Sequence, residues 1–124
     1  MRIERFEQIE AWKEAKVLCA MLYQSTRQTN FAKDYALRDQ VLRAALSVMA
    51  NIAEGFERRS RNEFVRFLLI ASGSASEIKS HLYVALDQKY LSEKQFDEIY
   101  EQATRVGKMI SKFVAYLKPP VNKG

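Results

Sequence analysis

This 124-residue sequence is short of the residues on which many activities depend. Its one cysteine, Cys19, admits neither an internal disulfide nor a thiolate metal cluster. Its one histidine, His81, removes most zinc and serine-hydrolase arrangements. The four glycines, Gly55, Gly73, Gly107 and Gly124, are scattered, so no glycine-rich phosphate loop is present. Both prolines, Pro119 and Pro120, sit at the end, and so few breakers predict long helices. The opening, Met1 to Glu10, is of mixed charge and has no apolar run. It reads as neither a signal peptide nor a membrane span, and a cytoplasmic location is expected.

What is present is a globular balance, 48% apolar and 28% charged residues. The length fits a single domain, 1–124, because two units of half this size would each bury a poor core. Twenty Lys and Arg against fifteen Asp and Glu give a net charge of +5 and a pI near 9.4. The excess is spread, +3 in residues 1–62 and +2 in residues 63–124, so no charged tail exists. Such a surface permits a polyanionic partner without requiring one.

Apolar residues recur at helical spacing in four segments. Ile9, Trp12, Ala15, Leu18 and Leu22 mark a first helix from about Glu7 to Thr26. The polar stretch Arg27 to Lys33 then reads as a loop that Phe31 pins to the core, and Asp34 as the N-cap of the next helix. The second helix, Tyr35 to Glu57, carries Leu37, Val41, Ala44, Val48 and Ile52 beside Leu42, Ala45, Met49, Ala53 and Phe56. An apolar arc this wide implies burial against more than one neighbour, with another subunit among the candidates.

Ser60 and Glu63 form a capping box opening a third helix that runs to about Lys89, with Phe64, Leu68, Ala71, Ala75, Ile78, Leu82 and Ala85 as its core line. Gly73 at its middle costs about 1 kcal/mol against alanine, which predicts close helix approach there. Ser92 and Gln95 form a second box, with Leu91 and Phe96 as a hydrophobic staple, and the fourth helix continues through Leu117 until Pro119 ends it. The expected fold is all-α, an antiparallel up-down-up-down four-helix bundle with a short disordered tail from about 119 to 124.

Candidate chemistry is sparse. Glu77 and His81 lie one turn apart, but a bundle metal site needs more ligands than this chain offers, so neither metal nor cofactor is expected. Cys19 among Leu18, Met21 and Leu22 reads as a small apolar filler. The densest basic group is Arg58, Arg59 and Arg61, with Arg66 further on, at the corner between the second and third helices. Guanidinium groups there can meet phosphates, although Glu54, Glu57 and Glu63 offset much of the field. Lys108 and Lys112, with Arg105, form a second basic group, which a helix C-terminal half favours in any case. A polar line on the second helix, Arg43, Ser47, Asn51 and Glu54, faces a matching small-polar line, Gly73, Ser74 and Glu77, on the third. These groups are expected to form interhelical or subunit contacts, with a ligand cleft as the alternative.

The residues Phe6, Ile9, Ala11, Trp12, Lys13 and Ala15, then Asp39, Gln40, Arg43, Ala44 and Ser47, then Asn51 to Gly55, form a series. It continues through Arg59, Ser60, Glu63, Phe64, Arg66, Phe67 and Leu68, then Ile70, Ala71, Gly73, Ser74 and Glu77, and Tyr90 to Ser92. The series resembles a bacterial four-helix-bundle family that includes proteins encoded in intervening sequences of 23S ribosomal RNA genes. Met49 stands where the family pattern usually has proline, which argues against a kink in the second helix. The resemblance implies an antiparallel bundle assembling as a ring-like homopentamer, and no catalytic residues. A distant relative is similar to the accessory protein of diversity-generating retroelements, which binds nucleic acid and a reverse transcriptase. The expected protein is therefore a non-enzymatic homopentamer that binds structured RNA or DNA through Arg58, Arg59, Arg61 and Arg66, with Lys108 and Lys112 as a second patch. The alternative is a protein-protein interaction scaffold with no nucleic-acid role.

Overall fold

A computed structural model describes residues 2–118, and all of its regular structure is helical. A 3-10 turn, Phe6–Gln8, precedes α1 (Glu10–Ser25), α2 (Thr29–Lys33), α3 (Tyr35–Glu57), α4 (Arg61–Asp87) and α5 (Glu93–Leu117). Five α-helices thus stand where four were expected among the described residues. The expected tail, and Pro119 as the stop of the last helix, lie outside them.

The additional element is α2. Five residues are too few to show a periodicity, and a helix this short is not stable on its own. Tertiary contacts impose it. Phe31 is fully buried and stacks on Tyr90 with centroids 5.3 Å apart, and the Arg38 guanidinium donates to the Ala32 carbonyl at 3.0 Å. At the N-terminus, Ile9 is extended (φ −74°, ψ 122°), so the first helix begins at Glu10 rather than Glu7.

The remaining boundaries follow their caps. The Asp34 carboxylate accepts from the Leu37 amide at 3.1 Å, and the Ser60 hydroxyl accepts from the Glu63 amide at 3.3 Å. Ser92 and Gln95 complete a reciprocal box, at 3.1 and 2.9 Å. At Ser60 only half of the expected box forms, because the Glu63 carboxylate turns to Arg66 instead.

Each long helix packs on two others: α3 on α1 and α4, and α5 on α4 and α1. α3 additionally supports α2 and the 3-10 turn, which explains its wide apolar arc within a single chain. Ile52, Leu68, Ile78, Leu82 and Ile110 are completely buried, and each side chain of this size contributes about 1.5 to 3 kcal/mol. Cys19 is buried among them, and desolvation raises its thiol pKa, as befits a filler rather than a nucleophile. No helix among the described residues is long and apolar enough to cross a membrane.

The expected role of Gly73 is not observed. A Cβ built there meets no atom within 4 Å, so this glycine faces open space. The close approach is at Gly55, where a Cβ would stand 2.7 Å from Phe67 Cβ and 3.0 Å from Phe64 Cδ1.

Candidate functional site

The turn between α3 and α4 is three residues long, Arg58 to Ser60. Arg59 adopts φ 59°, a left-handed conformation that costs a non-glycine residue about 1 to 2 kcal/mol. The tight turn brings three arginines, Arg58, Arg59 and Arg66, over an aromatic floor, and Arg61 opens α4 beside them. The guanidinium carbons of Arg58 and Arg66 lie over the same ring, that of Phe67, at 5.1 and 4.5 Å from its centroid. That of Arg59 lies over Phe56 at 5.2 Å. Gly55 makes this possible, because its missing side chain lets Phe67 sit against the α3 backbone.

Carboxylates fix two of the four. Arg58 Nε donates to Glu54 Oε2 at 3.1 Å, and Arg66 grips Glu63 with two bonds, at 3.0 and 3.1 Å. The hydrogen bond from Arg66 holds the Glu63 carboxyl below the usual carboxylate range and raises the Arg66 guanidinium in turn. Both side chains remain in contact with water, so solvent screens the pair. Among the described residues no carboxylate lies within 4.0 Å of Arg59 or Arg61. The expected basic corner is therefore two anchored arginines and two unpaired ones.

The second basic group lies on α5. Lys108, Lys112 and Arg105 line an open cleft of about 520 Å³ with Glu98, Glu101 and Gln102. Gln102 donates to both the backbone and the carboxylate of Glu14 at 2.9 Å, tying this part of α5 to α1. Phe64 meets Phe113 edge to face at 5.1 Å, so the α3–α4 corner and the C-terminal part of α5, where Lys112 precedes Phe113, share one end of the bundle.

Only part of the expected polar line comes together. Ser47 Oγ and Ser74 Oγ are 2.8 Å apart, and Asn51 Nδ2 donates to the Ser47 carbonyl and hydroxyl at 2.8 and 3.0 Å. This network stitches α3 to α4. Glu54 belongs to the arginine corner, Glu77 pairs with His81 at 3.1 Å, and Arg43 and Gly73 are exposed. Among the described residues no buried side-chain nitrogen or oxygen lacks a partner, and no group of three or more potential metal ligands occurs.

The sequence reading missed the floor under the arginines. The spacing of Phe56 and Arg59, three apart on a helix end, was a local signal for one contact, but nothing local links Arg58 with Phe67 across the turn. A separate aromatic group lies outside the expected site: Tyr83, Phe96 and Tyr100 join α4 to α5 with centroids 5.0 to 5.8 Å apart, and Lys79 stands 4.8 Å over Tyr100.

Residues 7–112 match the family model described as 23S rRNA-intervening sequence protein. The fold is similar to a crystal structure of a protein of unknown function from the S23 ribosomal protein family of Bacteroides thetaiotaomicron VPI-5482. The two share 23% identity at a TM-score of 0.78, over 85% of this chain and 95% of that one. At this identity the likeness shows the fold alone. No curated protein matches the chain.

Proposed function

The chain belongs to the 23S rRNA-intervening sequence protein family, and from that membership we propose a non-enzymatic, cytoplasmic role in binding structured RNA or DNA. Arg59 and Arg61 supply the principal phosphate contacts, Arg58 and Arg66 assist them, and Lys108 and Lys112 form a second patch at the same end of the bundle. The observation carrying this reading is the pair of unpaired arginines, Arg59 in the turn and Arg61 at the start of α4, beside two arginines held by carboxylates. Four arginines against three glutamates leave a local charge of only about +1, too little for strong binding by one chain.

Assembly answers that weakness. In the proposed homopentameric ring the net charge is about +25, and repeated corners act multivalently on one polyanion. Large apolar side chains support a subunit contact: Leu46 on α3 is 48% exposed, and Leu69, Ile70 and Val84 on α4 are 52%, 43% and 43% exposed. Gly73, open to space on the same helix, leaves room for a neighbour, and the exposed Arg43 on α3 and Glu77 on α4 are the polar groups proposed for that contact. Within each protomer the proposed course is antiparallel, up-down-up-down. The pairing of Ser47 with Ser74 and of Gly55 with Phe67, rising on α3 as it falls on α4, supports that course.

The same exposed apolar side chains favour a second reading, a scaffold for a protein partner without nucleic acid. Salt-titrated binding separates the two. A nucleic-acid binder loses affinity linearly in log salt, and a hydrophobic scaffold retains its partner at high salt and after nuclease treatment.

A further inference from the structure

We propose that the α3–α4 corner is a stacking platform for unpaired bases, so that its nucleic-acid ligand is a single-stranded or looped segment rather than a closed duplex. The inference rests on the nucleic-acid reading given above and specifies its ligand. Arg58 and Arg66 both lie over Phe67, yet their side chains remain 49% and 55% exposed. Each guanidinium carbon stands over the ring, and the carboxylates of Glu54 and Glu63 accept N–H groups from the same cations. Arg66 has given both its Nε and an Nη2 hydrogen to Glu63. A phosphate would have to compete with carboxylates already in place. The water-exposed part of each cation is left uncommitted, and a planar delocalised cation stacks well on a base.

Arg59 extends the arrangement. Its guanidinium lies over Phe56, so three arginines on one corner each have an aromatic ring behind them. Rings and carboxylates together restrict the rotamers of these long side chains before any ligand arrives, which lowers the entropy lost on binding. A closed duplex offers such a platform phosphates but no base faces, because its bases are already stacked on one another. An unpaired strand offers both, with Arg59 and Arg61 on the backbone and the guanidinium groups of Arg58 and Arg66 on the bases.

The test is fluorescence anisotropy on the full chain with four probes, a single strand of about twelve nucleotides and a blunt duplex of the same sequence, each as RNA and as DNA, at two salt concentrations. The protein is compared with the Arg58→Lys/Arg66→Lys variant, which keeps both charges and loses both planes. Phe67→Leu serves as a second variant that removes the ring, with thermal melts establishing that each folds. The expected result is single-strand binding roughly ten-fold tighter than duplex binding, falling to within about two-fold in both variants with the salt slope unchanged. The RNA and DNA arms show which backbone is preferred. Equal or tighter duplex binding, or a preference that survives Arg58→Lys/Arg66→Lys, overturns the platform and leaves phosphate binding standing. No salt-sensitive binding to any probe overturns the nucleic-acid reading itself, and the platform with it.

Discussion

Gly55 and Phe67 are in contact at a distance that no side chain on Gly55 could share: a Cβ there would lie 2.7 Å from Phe67 Cβ. The obstructing atom is the root of a side chain, so it moves only if α4 moves. Gly55→Ala gains about 1 kcal/mol of helix propensity but overpacks a buried seam, at a cost of about 1 to 3 kcal/mol. The expected outcome is a lower urea midpoint with an unchanged slope, together with weaker nucleic-acid binding as Phe67 and the arginines above it shift. A more stable Gly55→Ala protein would mean that the two helices are not held this closely.

Ser47 and Ser74, 2.8 Å apart, form the hydrogen-bonded stitch between α3 and α4. A double-mutant cycle on Ser47→Ala and Ser74→Ala is expected to give a coupling of about 0.5 to 1.5 kcal/mol in chemical denaturation, the net worth of one such bond. Additive losses would show that the two hydroxyls do not depend on each other.

Tyr90 anchors the α4–α5 connection by donating to the Asp34 carboxylate at 2.9 Å, and this bond raises its phenol pKa. A raised pKa means that the folded state holds the proton more tightly. The stabilisation is complete below the ordinary tyrosine value of about 10 and is lost as pH rises through the raised one. At pH 8 the protein is therefore expected to melt above Tyr90→Phe, and at strongly alkaline pH the gap closes. A gap that stays constant across that range would count against the bond.

Charges placed on the exposed apolar side of α4 test the assembly. Leu69→Lys/Ile70→Lys is expected to leave the helical circular dichroism spectrum unchanged and to reduce the mass seen by multi-angle light scattering from an oligomer to a single chain. Nucleic-acid affinity should fall with it, because multivalency is lost. If the parent protein is already a single chain in solution, the ring is wrong.

Much of the fold was legible because long amphipathic helices announce themselves. The Ser92 box, the Asp34 cap and the core line from Phe64 to Ala85 each rest on spacing within one helix, and each is observed. The failures share a physical cause. α2 exists because Phe31 is buried against Tyr90, a contact across 59 residues, and no local propensity encodes it. Gly73 and Gly55 look alike in sequence, and only the packing of α3 on α4 distinguishes the glycine facing space from the one that must be glycine. The arginine corner was legible as charge. That Arg58 shares the Phe67 ring with Arg66 depends on a turn placing Arg59 in a left-handed conformation, whereas the pairs Glu54–Arg58 and Glu63–Arg66 follow the four- and three-residue spacing of a helix.

The most direct measurement is the salt dependence of nucleic-acid binding by the parent protein beside Arg59→Gly/Arg61→Ala. Glycine relieves the strain of the left-handed position of Arg59, so the variant is expected to fold with stability no lower than the parent's while losing both unpaired cations. For the parent, log affinity should fall linearly with log salt, and the variant should bind more weakly with a slope shallower by about 1.4 per engaged corner on a single strand. Absence of salt-sensitive binding at low ionic strength, or identical slopes for the two proteins, would contradict phosphate recognition by this turn.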